Sequence, residues 1–160
     1  MPAETPDQVA HHLERLVVAY WHDVDFNWGR NATAHYTANA AFVAPGTRYE
    51  GREQIRAFYA WREERGARVN VHIVGNFHLA ELGGNEAEAH WICTLFAHDG
   101  EAPQPAAPPI AISRVEDRFV REEDGEWRCR ERRWHTLFKG DTPTTRMSPD
   151  EMAKRVGRPG

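Results

Sequence analysis

Between Val9 and Val24 the apolar residues Val9, Leu13, Leu16, Val17, Tyr20, Trp21 and Val24 recur three and four positions apart, the period of an amphipathic helix. Thr5, Pro6 and Gln8 supply its start, with Thr5 as N-cap, Pro6 at the first helical position and Gln8 closing a capping box. The pattern predicts one helix over about residues 6–25. A second short helix is predicted over 28–36, then a strand over 41–44 that ends in the turn Pro45-Gly46. A third helix over 52–64 stops at Gly66 and turns Ile55, Phe58, Tyr59 and Trp61 inward.

From Val69 the period changes to two. Residues 69–82 and 86–98 read as a long hairpin joined by Gly83-Gly84-Asn85. The stretch from Pro103 to Pro109 cannot pair as a central strand and reads as a loop. A second hairpin pairs 110–121 with 127–138 around Asp124-Gly125. Helices first and antiparallel strands afterwards indicate an α+β domain over residues 1–140, its N-terminal helices packed on a curved antiparallel sheet that encloses one pocket. Residues 141–160 form a polar tail with a short helix near 149–156, expected to be mobile or to pack on a neighbour.

Composition narrows this picture. A chain of 160 residues, 41% hydrophobic with 6 Trp, 4 Tyr and 7 Phe, builds a packed core rather than a disordered coil. A formal charge of −4 gives no general attraction to nucleic acid. The run Arg130-Glu131-Arg132-Arg133 reads as a solvated or ion-paired strand, with Arg130 and Arg132 on one side. No apolar run approaches the ~20 residues that cross a bilayer, and the N-terminus lacks a signal peptide's basic start and apolar stretch. The expectation is a cytoplasmic protein without a membrane partner, in which Cys93 and Cys129 are buried thiols.

Turning the first hairpin at Gly84 sets His78 opposite His90. That side carries His72, Val74, Asn76, His78, His90, Ile92, Thr94, Phe96 and His98, an apolar wall with a few polar groups that suits a ligand pocket. The other side, with Ala87, Ala89, Trp91, Cys93, Leu95 and Ala97, is core or a subunit interface, and the latter predicts a dimer or trimer. A bulge at Gly75 would exchange the two sides over part of the hairpin. Tyr20, Trp28, Tyr49, Phe58, Trp61 and Phe96 are candidate walls for a small hydrophobic or aromatic ligand. His78 and His90 are too few for a metal site, and no cofactor is expected. Asp25 stands at the unfavourable negative end of the first helix and needs a cationic or donating partner. A histidine would serve, and a histidine so oriented is an effective general base.

The succession Tyr20, Asp25, Trp28, then Val71-His72-Ile73-Val74-Gly75-Asn76, then Asp117-Arg118-Phe119-Val120-Arg121 before Asp124-Gly125, Trp127 and Arg132, resembles the SnoaL-like branch of the NTF2-like superfamily over about residues 8–138. That resemblance implies a cone-shaped α+β fold and relatives among scytalone dehydratases, polyketide cyclases and dehydrochlorinases. It implies a catalytic dyad of His72 as base and Asp25 as its orienter, with His98 or a tyrosine supplying a proton. The implied activity is dehydration, isomerisation or cyclisation next to a carbonyl of a hydrophobic cyclic substrate. Arg114 and Glu116 stand where the dehydratase has small polar groups, so the substrate differs, and both join Asn76 and His90 as candidate substrate contacts. The alternative is a non-catalytic ligand-binding or assembly subunit of the same fold, such as the small subunit of a ring-hydroxylating dioxygenase.

Overall fold

The capping box forms as its residues dictate: Thr5 Oγ1 accepts the Gln8 N–H at 3.3 Å and Gln8 Oε1 accepts the Thr5 N–H at 2.8 Å. In the computed structural model, which describes residues 3–157, helix α1 runs Pro6–Asn27 and buries Val9, Leu13, Val17, Tyr20 and Trp21. It ends because Trp28 (φ 60) and Gly29 (φ 69) are both left-handed. A side chain at Gly29 would place a Cβ 2.8 Å from the Tyr59 ring, so only glycine fits the turn. The Asp23 carboxylate then takes the Asn31 N–H at 2.9 Å and the amides of Asn27 and Asn31 at 2.8 and 3.0 Å. With the chain reversed in this way, the helix predicted over 28–36 reduces to a single 3₁₀ turn, Ala32–His35.

Strand β1 is Tyr36–Ala44, longer than predicted, and the four-residue edge strand β2, Thr47–Glu50, has too little sequence to show a period. Helix α2 is Gly51–Glu64, and the two hairpins are β3 (Arg68–Gly83) with β4 (Glu86–Asp99) and β5 (Ala111–Arg121) with β6 (Trp127–Lys139). The strands form one curved, unclosed sheet in the order β2-β1-β6-β5-β4-β3, in which β1 runs parallel to β6 and every other pair is antiparallel. The sheet is therefore mixed, not purely antiparallel. Helix α1 packs against β3 and α2 against β1, so both lie over one face. Among the described residues, no helix is long and apolar enough to cross a membrane.

Two bulges decide which side chains face that interior. His78 does pair with His90, but Gly75 pairs with Ile92, so the register slips between them, where Asn76 takes φ 49. Below the slip the inward residues of β3 are Arg68, Asn70, His72 and Val74; above it they are Phe77 and Leu79. On β4 the inward set is Ala87, Ala89, Trp91, Cys93 and Leu95, the side expected to be core or a subunit interface, and it is core and cavity wall. That apolar side is spent inside the chain, and the dimer or trimer expectation loses it as a basis. On β6, Arg118 pairs with Glu131 and Phe119 with Cys129, which leaves Arg130 as an extra residue. The bulge separates the two arginines expected on one side: Arg130 is exposed and pairs with Glu86, while Arg132 turns inward.

The tail, expected to be mobile or to pack on a neighbour, folds back on this chain. Met147 is buried and its N–H donates to Tyr49 Oη at 3.1 Å. Helix α3, Pro149–Val156, is capped by Ser148, packs on α2 through buried Met152, and links Arg155 to Glu64 at 2.6 Å.

At the centre of the core Arg132 and Asp117 are both fully buried and meet in a two-pronged pair, Nε to Oδ1 and Nη2 to Oδ2, each 2.8 Å. Trp91 Nε1 donates to Asp117 Oδ2 at 2.9 Å, and Arg132 Nη2 donates to His35 Nε2 at 3.1 Å. The guanidinium lies 4.7 Å from the Tyr20 ring centre, 5.3 Å from Trp91, 5.5 Å from Trp21 and 5.8 Å from Tyr36. Burial works against its charge, but the Asp117 carboxylate holds its proton well above the usual arginine range. Beside it, Tyr36 Oη donates to Tyr20 Oη at 3.0 Å and Tyr20 Oη contacts Tyr59 Oη. Burial raises all three phenols, so they stay neutral. The same burial, together with Arg132, lowers His35 well below its ordinary value of 6.5.

Arg132→Met leaves Asp117 as an uncompensated buried charge and is expected to cost about 3–5 kcal/mol in urea unfolding. The double variant Arg132→Met/Asp117→Leu should lose less, and a single-variant loss below about 1 kcal/mol would show that the pair is not needed. His35 sets a second expectation. The folded state keeps it neutral while the unfolded chain protonates it below about pH 6.5, so stability is full above that pH and falls as pH drops, by at most about 1.4 kcal/mol per unit. Chemical denaturation from pH 7.5 down to 5 should show a shallower fall in His35→Gln than in the parent, and equal slopes would refute the assignment.

Candidate active site

The last turn of α1 aims Asp25 at the start of β3, and the two elements meet through its carboxylate. Asp25 Oδ1 lies 2.6 Å from His72 Nδ1 and accepts the Asn70 amide at 2.7 Å, while Oδ2 accepts the His72 backbone N–H at 2.8 Å. All three partners donate, so the arrangement suits an ionised carboxylate whose helix supplies no cation in its last turn. Asp25 has 4% of its side chain exposed and His72 13%. The imidazole stacks on the Trp21 ring at 4.0 Å and 16°, which fixes its plane. With Nδ1–H donated to Asp25, the His72 Nε2 lone pair is the free position, and it has no partner among the described residues.

His72 stands on the wall of a cavity of about 180 Å³. Trp21, Trp28, Phe42, Phe58 and Trp134 line it together with Tyr49 and Tyr59. Asn70, Ser113 and Thr136 add polar points from β3, β5 and β6. Thr144, Thr145 and Arg146 line it from the tail, and Arg62 and Arg68 from α2 and β3. Tyr49 Oη accepts the Met147 N–H, which leaves its own proton free, and burial keeps that phenol above its usual value. The Cys93 thiol on the wall is pushed up to about 12 by burial, so at neutral pH it is a small apolar group, not a thiolate. Among the described residues, no three His, Cys, Asp or Glu side chains cluster to hold a metal.

Of the residues singled out from the sequence, His72, Trp28, Tyr49 and Phe58 line the cavity and Asp25 joins it through His72. The others lie elsewhere. Tyr20 is in the buried hydroxyl chain below the cavity, and Trp61 packs beside Phe58 with the Arg65 guanidinium 4.7 Å over its ring. Asn76 occupies the β3 bulge. Phe96 and His98 alternate with the lining residues Leu95 and Ala97 and so face away from the cavity; exposed His98 bonds the Asp99 carbonyl through Nδ1 at 2.6 Å. His90, Arg114 and Glu116 form a ladder on the outer face of the sheet: Arg114 Nη2 donates to His90 Nδ1 at 3.0 Å, His90 Nε2 to Glu88 at 2.8 Å, and Arg114 pairs with Glu116. Sequence reasoning passed over Asn70, although it shares the strand side of His72 two positions away. It also passed over the tail, whose contribution has no local signature.

Residues 10–133 match the SnoaL-like domain family. No curated protein matches the chain. Among solved structures, a provisionally named scytalone dehydratase from Novosphingobium aromaticivorans shares 18% identity over 94% of this chain and 94% of its own, with a TM-score of 0.71. ActVI-ORFA from Streptomyces coelicolor shares 18% identity over 81% and 97%, with a TM-score of 0.68. A protein from Catenulispora acidiphila, solved in complex with S-DNPA, shares 17% over 80% and 92%, with a TM-score of 0.68. At these identities the likeness is one of fold, an α+β cone of NTF2-like type. With more than half its length matched, the chain belongs to the SnoaL-like domain family.

Proposed function

We propose that the cavity is the active site of a small-molecule lyase or isomerase that works by acid–base chemistry without a cofactor. His72 Nε2 removes a proton from carbon next to a carbonyl of a hydrophobic cyclic substrate, while Asp25 keeps the proton on Nδ1 and stabilises the imidazolium as it forms. The developing enolate needs a donor, and Tyr49 offers a neutral hydroxyl from the same cavity. The resulting enolate can expel a leaving hydroxyl, return its proton elsewhere, or close a ring. His98, exposed and turned away from the cavity, has no part in this scheme.

The observation that carries the reading is the 2.6 Å bond from His72 to a carboxylate that also takes the same residue's backbone N–H. A histidine held by two bonds from one acid, its plane set by a tryptophan and its second nitrogen free, has the form of a positioned base. A solved neighbour provisionally named as a scytalone dehydratase shares the fold, and a dehydration falls within this class of chemistry.

Deuterium incorporation next to the carbonyl of fused cyclic ketones, followed by NMR in heavy water, reads this step before the natural substrate is known. His72→Ala and Asp25→Asn should each slow exchange by about 10²–10⁴-fold with the fold intact by circular dichroism. Tyr49→Phe should slow it less and weaken ketone binding little. Exchange at the parental rate in both dyad variants would refute the scheme and favour a non-catalytic binding module.

A further inference from the structure

We propose that Arg62 and Arg68, on the cavity wall, form a carboxylate-binding subsite, so that the substrate is a flat cyclic ketone or hydroxyketone carrying an acid group. The ketone rests on the acid–base reading above; the acid group rests on the arginines alone.

Arg62 comes from the last turn of α2 and Arg68 from the first residue of β3, and both line the cavity with only 11% of each side chain exposed. They share a single acid. Asp99 Oδ1 accepts Arg62 Nη2 at 3.3 Å and Arg68 Nη1 at 3.0 Å, while 77% of the Asp99 side chain stands in water. The remaining guanidinium N–H groups of the pair have no partner among the described residues. A third arginine, Arg146, reaches the wall from the tail, and its one side-chain bond is from Nε to Thr144 Oγ1 at 3.4 Å. The other acid at this cavity, Asp25, is committed to His72 and Asn70. The cavity thus carries three arginines, and the two that are nearly buried, Arg62 and Arg68, share one largely solvated carboxylate. Burial and the neighbouring Arg68 already lower Arg62 from the usual arginine range, the sign of a cation short of counter-charge. A ligand carboxylate supplies that charge, and the guanidinium fork matches its two oxygens.

The strand sets the scale of the ligand. Arg68, Asn70 and His72 alternate on one side of β3, so their Cα atoms span about 13 Å from first to last, shortened by the reach of the arginine. A molecule anchored at Arg68 and deprotonated at His72 is about as long as a fused ring system with a short acid arm. Aromatic walls between the two ends accommodate its flat body.

The bland account is that Asp99 merely ties the end of α2 to the hairpin, and the two accounts part on binding. Quenching of the cavity tryptophans by 2-naphthylacetate and by its neutral amide measures the preference without turnover. The parent should bind the acid about tenfold or more tightly than the amide, and Arg62→Gln and Arg68→Gln should each remove most of that preference while amide affinity changes less than about twofold. Asp99→Asn, which frees both arginines, should tighten the acid. Equal binding of acid and amide by the parent, or weaker acid binding in Asp99→Asn, overturns the subsite, and both results are read even if an arginine variant fails to fold. His72→Ala should keep the acid preference while losing deuterium exchange. A parent that prefers the acid and exchanges no deuterium leaves the subsite standing and removes the acid–base reading.

Discussion

The charge pair of Arg132 and Asp117 is the constraint around which the interior is arranged. An arginine with none of its side chain exposed must have its charge answered and its donors met, and each answer here comes from a different element. Asp117 is on β5, Trp91 on β4, His35 on the 3₁₀ turn and Tyr36 at the head of β1, while the rings of Tyr20 and Trp21 bring in α1. A pair of this kind adds little net stability over an apolar core of the same shape. Its effect is to permit one arrangement: a one-residue slip of β6 would expose the guanidinium to the outer face and strand Asp117. From there a short chain of contacts leads to the candidate site, because the Trp21 ring beside the guanidinium is also the ring on which His72 lies.

The candidate base is thus positioned from two sides by parts that fold for other reasons. Asp25 is where it is because α1 ends at a left-handed Trp28 and Gly29, with Asp23 tying off the turn. His72 faces inward because it lies before the β3 bulge, on the side of the strand that α1 covers. The negative end of a helix is a poor place for a carboxylate unless donors gather round it, and the three donors at Asp25 are the ones that make an oriented histidine.

What could be read from the chain before its structure follows the range of the interactions. The capping box at Thr5, the stop at Gly66 and the turn at Gly84 are local, and the helices and hairpins stand close to where these signals put them. Alternation along a strand is local too, but a bulge breaks it without changing composition. Asn76 and His90 therefore read as pocket residues and are not, whereas the β4 side carrying Cys93 and Leu95 read as core or interface and forms the pocket wall. Arg132 and Asp117 were visible within a family-like motif, yet their burial depends on the extra residue at Arg130 and on a partner 15 positions away. The meeting of Asp25 with His72 spans 47 positions and was legible only through resemblance. The short helix of the tail was readable at 149–156, but its docking was not, because the anchors are single residues, Met147 and Met152, in a polar sequence.

That tail divides the molecule in an unexpected way. The family match ends at residue 133, but Thr144, Thr145 and Arg146 help to enclose the cavity and Met147 hangs on the hydroxyl of Tyr49. Asp25 and His72 lie within the residues matched by the family, whereas Thr144, Thr145 and Arg146 lie beyond that match. A segment held by a few side chains can be exchanged without disturbing the register of the sheet or the buried ion pair. Substitutions in the last few turns of chain can therefore reshape the cavity and leave Asp25 and His72 where they are.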